Sequence, residues 1–226
     1  MRVGILFSGG KDSALAFYKA RKFHDVVCLI SLVSINPESY MFHVPNIELT
    51  KMQAKAIGLP LLKKTTKGEK ENELRDLMKI LSVAKAKLRI AGVVTGTIKS
   101  VYQASRIQRI CSDLDLWCFS PLWLKDQVYI LNELVRKGFK TVISGVFAFP
   151  LDESFLGKEI DDEMIGRLQG FFEEYDLNPA GEGGEMETTV TDAPFFKKRI
   201  EILDFDVSFK NNSGVFKIKK ARLTAK

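Results

Sequence analysis

The sequence predicts an α/β protein, a doubly wound parallel sheet followed by a second, smaller α+β unit. Short apolar runs alternate with helix-compatible segments through the first half of the chain, the pattern of a parallel sheet with helices on both faces. A paired-glycine turn joins the first of these runs directly to the first helical segment. After Pro121 the alternation stops, and the chain ends in a run of period two that reads as a hairpin. With 226 residues, 46% of them hydrophobic, the chain can bury a real core in one large or two small domains.

The first strand is expected over residues 3–7. It runs into Ser8-Gly9-Gly10-Lys11-Asp12-Ser13 and then a helix. Paired glycines let the backbone turn tightly, so that successive N–H groups converge on an anion at the start of the next helix. Lys11 adds a positive charge, and Ser8 and Ser13 add hydroxyl donors. Asp12 would be repelled by a bare phosphate, which places Mg2+ or water between them. The spacing is neither that of the Walker loop nor that of the dinucleotide fold. The plain alternative is a serine-capped helix after a strand.

Further strands are expected over residues 26–33, 59–62, 92–95 and 116–119. Between them, Asn46 after Pro45 opens a helix with the apolar stripe Ile47, Met52 and Ile57, stopped by Gly58-Leu59-Pro60. A longer helix over about 69–89 is acidic at its start and basic at its end, as the helix dipole favours. Ligands of such sheets sit beyond the carboxyl ends of the strands. The phosphate loop, the segment after Val33 and the Thr95-Gly96-Thr97 turn should therefore share one crevice, with Gly96 and Thr97 beside the nucleotide.

We expect a boundary that divides the chain into 1–121 and 122–226. The second unit should hold a helix over 126–137, a strand over 141–149, an acidic helix over 161–176, a glycine and glutamate turn, and the hairpin. Residues 197–226 carry nine Lys or Arg against three acids, whereas the first 196 residues carry 25 of each. Such a tail fits an acidic macromolecular partner or lysines guarding an exposed sheet edge. No apolar run approaches the roughly 20 residues that span a bilayer, and no signal-peptide pattern precedes the first strand. A cytoplasmic protein is expected. Cys28, Cys111 and Cys118 match neither a redox pair nor a common zinc spacing and read as buried thiols.

The Ser8–Ser13 run resembles the S-G-G-x-D-S signature of the PP-loop ATP pyrophosphatases. Four further runs narrow the family: residues 36–43 (Asn-Pro-Glu-Ser-Tyr-Met-Phe-His), Gly96-Thr97-Ile98 with Tyr102-Gln103-Ala104-Ser105-Arg106, residues 181–188 (Gly-Glu-Gly-Gly-Glu-Met-Glu-Thr), and Asp192-Ala193-Pro194-Phe195-Phe196. Together they resemble the archaeal-type diphthine–ammonia ligases along the whole chain. Ala104 departs from the family's Y-Q-R-x-R pattern, and Leu124 stands where a glycine is usual.

The resemblance implies a fold like the HUP and adenine nucleotide alpha hydrolase proteins, and a ligase that consumes ATP. The diphthine carboxylate on elongation factor 2 would attack the α-phosphate, pyrophosphate would leave, and ammonia would displace AMP from the acyl-adenylate. Ser8, Gly9, Gly10, Lys11 and Ser13 would hold the pyrophosphate end, with Asp12 toward Mg2+, so Lys11 and Asp12 are candidates for catalysis. A trimethylammonium group donates no hydrogen bond and needs negative charge or aromatic faces. Glu182, Glu185 and Glu187, with Tyr40, Phe42 or Trp123, would supply both, and Glu185 could also orient ammonia or accept its proton. The alternative is that some of these glutamates cap local N–H groups.

Tyr102, Gln103 and Arg106 are expected to contact substrate or phosphate. His43 reads either as a substrate contact and base or as a structural hydrogen-bonder, and Asp192 as a turn former. The partners implied are elongation factor 2 and ammonium, the latter free or delivered, with no membrane and no required nucleic acid; the oligomeric state, a homodimer included, stays open. The competing readings are a PP-loop enzyme that adenylates a tRNA base and a non-catalytic adenine-nucleotide sensor.

Overall fold

The computed structural model describes residues 1–35, 45–68 and 70–226. The first half alternates as expected: β1 (Arg2–Leu6), α1 (Lys11–Ala20), β2 (Asp25–Ser34), α2 (Thr50–Ile57), β3 (Leu61–Thr66), α3 (Lys70–Leu88), β4 (Gly92–Val94), α4 (Val101–Asp113) and β5 (Trp117–Phe119). Its strands form a parallel sheet in the order β3-β2-β1-β4-β5. The chain reverses direction across the sheet between β1 and β4, so the loops after these two strands open a crevice between them.

The third strand begins two residues later than expected and runs to Thr66. It lies at the sheet edge and is half-exposed, so Lys63 and Lys64 sit within it. Their ammonium groups reach Glu48 and Asp76. Long stems let lysine occupy such an edge while the charge stays in water, and this hides the end of the strand from a search for apolar runs.

The second half contains α5 (Gln127–Arg136), β6 (Lys140–Val146), α6 (Asp162–Tyr175), β7 (Met186–Asp192), β8 (Arg199–Lys210) and β9 (Ser213–Thr224). Its antiparallel strands follow the order β7-β6-β9-β8. β7 was not anticipated: residues to 188 were expected to be turn, whereas the turn ends and the chain pairs with β6 from Met186. The hairpin is longer than expected at both ends. Its alternation is interrupted by charge, and those charges pair across the ladder, Arg222 with Glu201 and Lys219 with Asp206.

One apolar core runs continuously through both halves. Val3, Ile5 and Phe7 of β1 and Leu15 and Phe17 of α1 share it with Ile130 of α5, Ile143 and Val146 of β6, and Leu168 of α6. Phe195 is the bridge, its ring centroid 4.4 Å from Phe17 and 5.8 Å from Phe139. Behind the parallel sheet, Cys28, Ile30 and Leu32 of β2 pack on Leu77 and Leu81 of α3 and on Ile107 and Cys111 of α4. Burial pushes the Cys28 thiol up to about 11. The second half therefore closes over the α1 side of the sheet, and α3 and α4 close the other.

Candidate active site

The phosphate loop leaves the end of β1 and starts α1 with Gly10 as N-cap, without a side-chain cap. Its conformation is imposed from several elements. Gly9 has φ +84, a left-handed value open to glycine, and its carbonyl accepts from Val190 N of β7 at 2.9 Å and from the buried Gln53 Nε2 of α2 at 2.9 Å. Lys11 N donates to Thr188 Oγ1 of β7 at 3.1 Å. Ser8 Oγ accepts from Gly10 N at 3.3 Å and lies 3.2 Å from Ser13 Oγ. The loop after β4 presses against the same helix start. A Cβ at Gly96 would come within 2.7 Å of the backbone of Asp12 and Ser13, so only a glycine lets the two loops meet. Thr95 and Thr97 join hydroxyls there at 2.8 Å.

Facing this wall is the turn that precedes β7. Gln127, at the start of α5, accepts from Ala180 N at 3.0 Å and donates to Asn178 Oδ1 at 2.8 Å. Asn178 Nδ2 in turn donates to Glu185 Oε1 at 2.6 Å, and Gly183 N donates to Glu185 Oε2 at 2.8 Å. Glu182 Oε1 accepts from the amides of Lys99 and Ser100 at the start of α4, at 2.8 and 2.9 Å. These bonds hold the turn across the crevice.

The two walls enclose a cavity of about 550 Å³ lined by Ser8, Gly10, Lys11, Asp12, Ser13, Thr95, Gly96, Thr97, Ser100, Gln103, Phe147, Glu182, Glu187 and Thr188, among others. Lys11 is only 2% exposed. Its ammonium donates to the carbonyl of Ala180 at 2.5 Å and to Asp12 Oδ2 at 2.9 Å. Asp12 Oδ1 is buried without a hydrogen-bond partner among the described residues. Glu187 opens to the cavity and is otherwise enclosed; burial pushes its carboxyl up to about 7, with Lys11 opposing and Asp12 reinforcing the rise. Burial also raises Glu182, against the pull of the amides it accepts from.

Of the expected site residues, Ser8, Gly10, Lys11, Asp12, Ser13, Gly96, Thr97, Gln103, Glu182 and Glu187 line the cavity. The other expected residues lie elsewhere. Gly9 serves through a carbonyl bound to β7 and α2 rather than by lining the cavity. Glu185 is turned into the loop, both oxygens held by Asn178 and Gly183. Tyr102 and Arg106 lie on another side of α4, the guanidinium 3.5 Å from the ring centroid, with Arg106 lining a separate groove. Trp123 does not line the cavity. Tyr40, Phe42 and His43 fall outside the described residues.

Sequence reasoning missed Gln53, Thr188 and Phe147. Alternation along 186–190 would have suggested a strand carrying Thr188. Nothing local marks Gln53, whose role comes from where α2 packs.

A family model described as the diphthamide synthase N-terminal domain matches residues 1–117, and one described as the diphthamide synthase C-terminal domain matches residues 126–224. A diphthine–ammonia ligase of Danio rerio is 34% identical over 221 residues, covering 89% of this chain and 86% of that protein. The one of Homo sapiens is 32% identical over 220 residues, covering 88% and 82%. One of Schizosaccharomyces pombe is 34% identical over 227 residues that cover 92% of this chain and 37% of a longer protein. Among solved structures, a predicted subunit of tRNA methyltransferase from Methanocaldococcus jannaschii aligns with 86% of this chain and 98% of its own, at a TM-score of 0.43 and 17% identity, a likeness too loose to build on. With its two halves matched in order and its phosphate loop facing the glycine and glutamate turn, the chain belongs to the diphthamide synthase family.

Proposed function

We propose that this chain carries out the ATP-dependent amidation of diphthine on elongation factor 2, joining the diphthine carboxylate to ammonia and releasing AMP and pyrophosphate. The observation that supports this most directly is a single cavity with a phosphate loop on one wall and Glu187 on the other. A carboxylate is a poor electrophile, and adenylation provides the leaving group it lacks. The carboxylate oxygen bonds to the α-phosphorus as the bond to the pyrophosphate oxygen breaks. The nitrogen of ammonia then bonds to the acyl carbon, the bond to the AMP oxygen breaks, and a proton leaves the nitrogen.

In the first step the start of α1, Ser8, Ser13 and Lys11 stabilise negative charge growing on pyrophosphate. Asp12 suits Mg2+, since its orphaned oxygen at the cavity leaves a carboxylate site free and this ion is commonly bound through one or two carboxylates plus phosphates. When bound, Mg2+ would neutralise phosphate charge. In the second step Glu187 takes the proton, because a base titrating near neutral pH is best matched to the task. Glu182 and Glu187 supply negative charge for the trimethylammonium group, and the Phe147 ring, 37% exposed beside them, offers an apolar face.

The test is pyrophosphate release from Mg-ATP and ammonium with elongation factor 2 bearing diphthine, unmodified elongation factor 2, or bulk tRNA, read with the mass of the modified histidine. Release with the diphthine form alone, joined to the mass change of acid to amide, is the expected result. Release with tRNA alone transfers the protein to base adenylation, and nucleotide binding without release in any arm leaves a sensor.

A further inference from the structure

Helix α4 separates two hollows. Its start, with Ser100 and Gln103, lines the main cavity, whereas Arg106 and Arg109 line a groove of about 470 Å³ against Arg75, Leu74 and Met78 of α3. Three arginines thus line one groove, and none has a carboxylate within ion-pair distance among the described residues. Among the described residues, the single acid lining it is Asp113. Arg75 and Arg109 are exposed, and Arg106 is held in place by its stack on Tyr102.

From this arrangement, and resting on the proposed ligase function, we infer that the α3–α4 groove receives an acidic segment of the polypeptide that carries diphthine, its carboxylates pairing with Arg75, Arg106 and Arg109. A modified side chain cannot enter the main cavity without its own backbone crossing the rim, and on the α4 side one helical turn separates Gln103 in the cavity from Arg106 in the groove. Guanidinium forks match carboxylates in two-point fashion. The floor favours polypeptide over nucleic acid. Leu74, Met78 and Ile110 are apolar, whereas single strands need open aromatic faces on which bases stack, and the Tyr102 ring is already covered by Arg106.

The test titrates elongation factor 2 bearing diphthine into this chain and into its Arg75→Ala/Arg109→Ala and Arg75→Glu/Arg109→Glu variants, at low and raised salt. Turnover is measured in parallel. We expect Kd and KM to rise about tenfold in the alanine variant and further in the glutamate variant, with kcat and the KM for ATP unchanged and the salt dependence flattened. Equal binding by all three proteins, or no binding by the parent chain, overturns the inference. So does bulk RNA that competes with the parent and not with the variants, which would make the groove a nucleic-acid surface. Arginine-dependent binding without amidation leaves the groove standing and removes the ligase function.

Discussion

The two walls of the cavity are built in opposite ways. The phosphate loop is a local object: residues 8–13 are contiguous, and their chemistry follows from glycines, hydroxyls and a lysine at a helix start. The turn opposite carries three glutamates within six residues, and its chemistry is divided among them by distant partners. Glu182 is drawn to the start of α4, Glu185 to Asn178 and Gly183, and Glu187 to the cavity beside Lys11 and Asp12. A local pattern reveals that a carboxylate is present; only the packing decides which one meets substrate.

The largest effect should come from the local wall. Lys11→Met removes a buried charge from the phosphate end, and AMP formation should fall on the order of 10³-fold in a pyrophosphate-release assay. Glu187→Gln should lower amidation about 10²-fold while ATP binding, followed by nucleotide titration, holds. As the proposed base Glu187 acts unprotonated, so at fixed free ammonia the parent's amidation rate should climb as pH rises through about 7 and the variant's should not. The same carboxyl has a folded-state pKa above its unfolded value, so the stability it lends is full below the unfolded pKa and is lost as pH rises through about 7. Thermal unfolding at pH 8 should accordingly find Glu187→Gln more stable than the parent, by on the order of 1 kcal/mol.

Gly96→Ala forces the β4 loop off the start of α1, and the half-saturating ATP concentration should rise about tenfold. The smallest change in chemistry should follow Glu185→Gln, which turns an amide group toward the Gly183 N–H. We expect turnover within about twofold of the parent and a stability loss of about 1 kcal/mol by denaturant titration. If Glu185→Gln cuts amidation as deeply as Glu187→Gln, the division of labour along the turn collapses.

Most of the scaffold could be read from the chain because parallel strands buried on both faces are apolar runs, and β1, β2 and β4 are such runs. β3 was placed too early and β7 was missed, both for physical reasons. The first is an edge strand carrying lysines, and the second begins inside a glycine-rich turn and is rich in threonine. The same contrast holds within the site. The phosphate loop was readable because its chemistry is carried by contiguous residues, although β7, α2 and the loop after β4 brace its shape. Spacing alone did not tell that Glu185 turns into the loop while Glu187 opens to the cavity, or that Arg106 lines a separate groove.

The bond from Lys11 N to Thr188 Oγ1 joins residues 177 positions apart, and Val190 grips the Gly9 carbonyl over a similar span. During synthesis the signature emerges long before its support. A chain cut before β7 would carry the phosphate loop without the brace that shapes it, and without the carboxylates of the turn that face it.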